Sequence, residues 1–203
     1  MSVAQPARSA PRGPWRMFVG ATCVQVRGAT GKLATMTRAW SKLAHPFLRP
    51  AGHPEVSVVL AGGLLLSAYP TPDDVVWLRD EHGVGSVISL QDDTDLAAKA
   101  LRRQEIEAAW AGAGVAFRRF PAIDGDPESL ALVLPVAVDH LEAEIARGAC
   151  VLVHCNAGFN RAPTVAIAYL MRSRDWTFVQ ARDFVAERRA CMPYRDAIER
   201  AFG

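Results

Sequence analysis

The chain has 203 residues, half of them hydrophobic, and a formal net charge of +2. That is enough for one well-covered domain and an extension, not for two full domains. The charge is uneven: residues 1–54 carry eight Arg or Lys and no Asp or Glu, which leaves 15 basic against 21 acidic residues in the rest, a net −6 that presents no nucleic-acid-binding face.

Arg8, Arg12, Arg16, Arg27, Lys32, Arg38, Lys42 and Arg49 are spread through the first 54 residues rather than clustered. Such an acid-free stretch predicts a disordered basic extension over 1–54 that acts as a transit peptide. A plastid (chloroplast) is the expected destination, with mitochondrion and cytoplasm as alternatives. No run of eighteen apolar residues occurs, so no membrane span is expected. The apolar stretch 58–66 is short and holds the Gly62–Gly63 pair, so it reads as a core strand over 56–60 and a turn.

Thr71 is placed to cap a helix with Pro72 at its first position and Asp73 and Asp74 in its first turn. Val75, Val76 and Leu78 form its apolar face, and Gly83 and Gly85 bracket its end. A buried strand is predicted over 87–90, one helix over 96–111 and a further strand over 115–120. A loop with Pro121, Asp124, Gly125 and Asp126 follows. Pro127, Glu128 and Ser129 open a long helix to about residue 146, which Pro135 is expected to kink or divide. The central strand is predicted over 150–153, with helices over 161–171, 178–188 and 195–202. Strands alternating with helices predict an α/β domain over 55–203, with a mostly parallel central sheet flanked by helices.

The stretch from Val151 to Thr164 carries the chemistry. An apolar strand runs through His154 into Cys155, and five residues separate that Cys from Arg161, which opens an apolar helix. Backbone N–H groups of Asn156, Ala157, Gly158, Phe159 and Asn160 can curl around an anion, and the helix N-terminus adds its positive dipole end. Arg161 supplies a planar fork matching two phosphate oxygens. The same donors stabilise a thiolate at Cys155, which can attack phosphorus and form a covalent intermediate.

His-Cys-x5-Arg resembles the signature of cysteine-dependent phosphatases. With Asn156, Ala157 and Gly158 in the loop and Arg161, Ala162, Pro163 and Thr164 after it, the chain is similar to the atypical dual-specificity phosphatases, closest to plant-type glucan phosphatases and laforin. The segments 71–75, 85–96 and 188–198 carry further resemblance. It implies a single dual-specificity-phosphatase domain over 55–203. It also implies a general acid at Asp124, in the loop before the long helix, with Asp126 as runner-up or as cap of that helix. His154 would order the loop without touching substrate, while Asn156 and Asn160 would brace it through side-chain bonds to backbone. Ala162 stands where the commoner dual-specificity pattern has a Ser or Thr that helps the thiolate leave.

No metal or other cofactor is called for: the five His are scattered and none has ligand spacing with a Cys. The implied substrate is a phosphorylated glucan, with a phosphotyrosine, phosphoserine or phosphothreonine protein as alternative and a silent phosphate-binding protein as a third reading. The glucan family's aromatic channel would fall near Ala98, Lys99, Gly125 and Met192, none of them aromatic. Phe159, Trp110, Phe117, Phe120, Trp176 and Tyr194 are the rings left to compensate. The plant enzymes' regulatory Cys would fall near Ser89, which leaves Cys191 as the candidate redox partner of Cys155.

Overall fold

The structure, a computed structural model, describes residues 52–203. The expected extension and transit signal over 1–54 therefore lie almost wholly outside the described residues. Five strands form one sheet in the order β1-β2-β5-β3-β4. They are β1 (Val56–Leu60), β2 (Leu64–Ser67), β3 (Val84–Ser89), β4 (Ala116–Arg119) and β5 (Cys150–His154). Only β1 is antiparallel, to β2; every other pairing is parallel. Seven α-helices surround the sheet: α1 (Val75–His82), α2 (Asp93–Ala98), α3 (Arg103–Gly112), α4 (Pro127–Ala146), α5 (Arg161–Arg174), α6 (Phe178–Ala186) and α7 (Arg195–Phe202).

β5 is buried at every position because it lies mid-sheet with helices on both faces. Its side chains alternate between two cores, as the two-residue strand period requires. Val151 and Val153 join the core under α4, α5, α6 and α7. Cys150 and Leu152 join the core under α1, α2 and α3. The parallel strands β2, β5, β3 and β4 all end at one edge, where open α/β sheets place their sites.

Five local expectations are corrected. The stretch 58–66 is a hairpin of two strands, not one strand and a turn. Gly62, at φ +73, closes it, and β2 is fully buried between β1 and β5. The helix expected over 96–111 is two helices. Asp92 and Asp95 cap α2 reciprocally, and the chain then turns through Ala100 at φ +52 before α3 begins. Val76 is exposed rather than on the apolar face of α1, which Val75 and Leu78 supply at i, i+3 spacing. Pro135 does not divide α4, which runs unbroken because Leu134, Ala137, Val138 and Leu141 anchor both sides of it in the core. Gly85, expected beyond the end of α1, lies inside β3 at a register shift against β5.

Candidate active site

The loop 155–160 joins the end of β5 to the start of α5. The carbonyls of residues 156–159 turn outward, each to a named donor. The Tyr69 N–H donates to Asn156 O at 3.1 Å and the Met192 N–H to Phe159 O at 2.8 Å. Between them, Arg189 Nη2 donates to Ala157 O at 3.0 Å and Nε to Gly158 O at 2.5 Å. Across a trans peptide the C=O and the next N–H point opposite ways. The N–H groups of Ala157, Gly158, Phe159 and Asn160 are thereby turned inward, over Cys155, which is 3% exposed. Gly158 is required in this ring. Its φ is +64, and a Cβ there would lie 2.6 Å from the Ser67 carbonyl carbon and collide with the Arg189 guanidinium.

Arg161 is fully buried at the first turn of α5. Its Nη1 donates to Asp95 Oδ2 at 2.7 Å, to Ala122 O at 2.6 Å and to Leu90 O at 3.2 Å. Its Nε and Nη2 have no hydrogen-bond partner among the described residues. Nη2 does lie 3.1 Å from Asp124 Oδ2, an ion-pair distance without hydrogen-bond alignment. One edge of the guanidinium is thus anchored and the other left for an oxyanion. Burial works against its charge, but Cys155, Asp95 and Asp124 outweigh burial and raise its pKa.

Asp124 sits beside the loop, with Asn156 Nδ2 donating to its Oδ2 at 3.1 Å. Asn156 also donates to Asp95 and accepts from Gln91 Nε2 at 2.8 Å. Asn156 therefore braces the site through side chains rather than through backbone. Asn160 does bond backbone, donating from Nδ2 to Met192 O at 2.7 Å. Asp126 is the cap of α4, accepting from the Glu128 and Ser129 N–H groups. Ser129 Oγ in turn accepts from the Ile123 N–H, which ties the Asp124 loop to the start of α4.

His154 is 2% exposed at the end of β5, behind the loop. Burial pushes its pKa down to about 3; the Cys155 backbone pulls the other way without a well-aligned bond, and the Arg161 charge reinforces burial. The folded protein thus holds this ring neutral where the unfolded chain, near 6.5, takes up a proton. Stability from His154 is complete above about pH 6.5 and is lost as the pH falls toward 3. Between pH 6.5 and 4.5 the free energy of unfolding is expected to fall by about 2–3 kcal/mol from this group. Urea unfolding at both pH values, on wild type and His154→Asn, checks this: an equal pH loss in both proteins would refute it.

Three half-buried aromatic residues belong to the loop or to segments bonded to it. Phe159 is in the loop, Tyr69 donates its N–H to Asn156, and Tyr194 faces the Gly125 backbone and Asp124. Burial, then the Asp124 charge, raises the Tyr194 pKa. Lys99 lies over the Tyr69 ring at 5.7 Å. Trp110 and Phe120 are buried core, Phe117 stacks on Trp110 and Trp176 packs on Phe184, so those four are committed to packing. Ala98 and Gly125 are exposed without rings, and Met192 is 62% exposed. Cys191 is a poor redox partner, because burial pushes its thiol up to about 11.

Sequence reading missed the roles of Gln91, Asp95 and Arg189, and it missed Tyr69 as a donor to the loop. A buried Asp three residues after Asp92 reads as an ordinary capping box, and nothing local marks Arg189 apart from its neighbour Arg188. Among the described residues no group of His, Cys, Asp and Glu could hold a metal ion. No helix among them is long and apolar enough to cross a membrane.

A family model for the dual specificity phosphatase catalytic domain matches residues 78–199. The chain belongs to that family. Phosphoglucan phosphatase DSP4, amyloplastic, of Castanea sativa is 34% identical over 137 residues, 66% of this chain and 36% of that protein. Phosphoglucan phosphatase LSF1, chloroplastic, of Arabidopsis thaliana is 31% identical over 132 residues, 65% of this chain and 22% of that protein. Human dual specificity protein phosphatase 16 is 42% identical over 73 residues, 36% of this chain and 11% of that protein. The chain thus spans little more than a third of these relatives, or less. The crystal structure of PTPMT1 has a TM-score of 0.61 at 24% identity, over 72% of this chain and 91% of that one, which bears on the fold alone. The sheet and helices described here are therefore those of an atypical dual-specificity phosphatase domain.

Proposed function

We propose that this domain hydrolyses phosphate monoesters through a cysteinyl-phosphate and that its substrate is a phosphorylated glucan. The observation that carries the chemistry is the set of four loop carbonyls held by outside donors, which by peptide geometry turns four N–H groups toward Cys155, with Nε and Nη2 of Arg161 unbonded beside them. In this reading the Cys155 thiolate attacks phosphorus while Arg161 and the loop from Asn156 to Asn160 hold the three equatorial oxygens. Asp124 protonates the departing oxygen, then draws a proton from the water that hydrolyses the intermediate. His154 supports the loop from behind. No metal or other cofactor enters.

Two observations support the glucan. The phosphoglucan phosphatases align over nearly twice the length of chain that the human protein phosphatase does. Phe159 lies in the phosphate loop itself and is half-buried, and sugars stack their apolar faces on rings. Delivery to a plastid fits the basic, acid-free residues 1–54 and relatives named amyloplastic and chloroplastic. Phosphate release from solubilised amylopectin, p-nitrophenyl phosphate and a phosphotyrosine peptide tests this, with Cys155→Ser as blank. Amylopectin is expected to have the highest kcat/KM. Turnover of the aryl phosphate and peptide alone would make this a protein phosphatase, and turnover of nothing a binding protein.

A further inference from the structure

Of the four carbonyls turned out of the phosphate loop, the first and last are held by backbone N–H groups of Tyr69 and Met192. The middle two share a single side chain. Arg189, just beyond α6, donates Nη2 to Ala157 O and Nε to Gly158 O. Its third nitrogen is tied to the opposite side: Nη1 reaches Ser57 Oγ at 3.2 Å and Glu55 O at 3.3 Å, at the start of β1. The guanidinium is thus clamped between the edge of the sheet and the back of the loop, on the side away from substrate.

We propose that Arg189 is a positioning residue for phosphate binding and transfer: by holding the Ala157 and Gly158 carbonyls outward it aims the Gly158 and Phe159 N–H groups at the bound oxyanion. This rests on the phosphate reading above. The reasoning is geometric. Each peptide plane carries one carbonyl and the following N–H on opposite sides. Releasing the carbonyl lets the plane rotate, and a rotated plane presents oxygen lone pairs to an anion where it had presented a donor. Gly158, with its freedom of φ, is where such a rotation meets the least resistance. A planar fork with two N–H groups suits two successive carbonyls, and a single ammonium does not. The fork also explains why a cation is buried here although burial lowers its pKa: each of its three nitrogens donates to oxygen, and Cys155 and Glu55 partly restore the charge.

The test compares wild type, Arg189→Met, Arg189→Lys and Arg188→Met. Tungstate affinity is read by calorimetry, kcat and KM on p-nitrophenyl phosphate, and folding by thermal melting. Arg188 bonds Phe184 O and Glu187 and lies over the Phe184 ring, with no recorded bond to the loop, and controls for charge lost from the same segment. Arg189→Met is expected to weaken tungstate at least about tenfold and to lower kcat about 10²-fold, more than it raises KM, as losing one preorganised donor does. Arg189→Lys should recover only part of both, and Arg188→Met should match wild type. Tungstate bound by Arg189→Met as tightly as by wild type, or full recovery in Arg189→Lys, overturns the proposal. If Arg189→Met does not fold, the Lys variant decides by the same criteria. A wild-type protein that takes up no tungstate overturns the phosphate reading itself, and this proposal with it.

Discussion

Replacing Cys155 with Ser is expected to abolish turnover of every phosphate ester while leaving oxyanion binding largely intact. The substitution exchanges sulfur for oxygen in a site 3% exposed, so packing barely changes. The four inward N–H groups belong to the backbone and to residues beyond position 155, and Arg161 keeps its anchors on Asp95, Ala122 and Leu90. What is lost is the nucleophile: an unactivated serine hydroxyl attacks phosphorus far less readily than a cysteine sulfur. Loss of a nucleophile costs on the order of 10⁴-fold or more. Phosphate release and tungstate calorimetry on the same preparation separate the two effects. Residual turnover within about tenfold of wild type would mean that phosphorus is attacked by something other than Cys155.

Asp124→Asn is expected to lower kcat about 10²- to 10³-fold on esters whose leaving group is an alkoxide, such as a sugar hydroxyl. On p-nitrophenyl phosphate the loss should be far smaller, because nitrophenoxide departs without a proton. The contrast between leaving groups is the measurement, since a misfolded loop would lower both rates alike. Asp126→Asn is the companion variant. It alters the carboxylate that caps α4, so stability should drop by no more than about 1 kcal/mol with the leaving-group pattern unchanged. If Asp126→Asn showed the leaving-group contrast and Asp124→Asn did not, the two roles would have to be exchanged.

The phosphate loop is legible in sequence because its parts are contiguous. Strand, Cys, glycine, Arg and helix follow in fourteen residues, and each constrains its neighbour's chemistry. The groups that hold it are not contiguous. Asp95 is 66 residues from Arg161, Gln91 is 65 from Asn156 and Arg189 is 31 from Gly158. Each looks ordinary in its own segment and acquires its role only when parallel strands bring their ends to one edge. The same limit explains the split of the predicted helix 96–111. Asp95 is drawn to Arg161 and Leu96 to the core, and no local propensity announces the left-handed turn at Ala100 between α2 and α3. It also explains why β2 reads as a turn: three leucines and a serine are indistinguishable from loop until the sheet closes on both sides of them.

The Asp124 carboxylate lies 3.1 Å from Arg161 Nη2, on the edge that an oxyanion would use. Arg161 therefore has a counter-ion within its own chain, lent by a half-exposed loop. A phosphate arriving there exchanges one anion for another rather than filling an unbalanced hole. The free energy of capture is reduced by what the carboxylate already supplied. Such a pocket trades tightness of phosphate binding for ease of release.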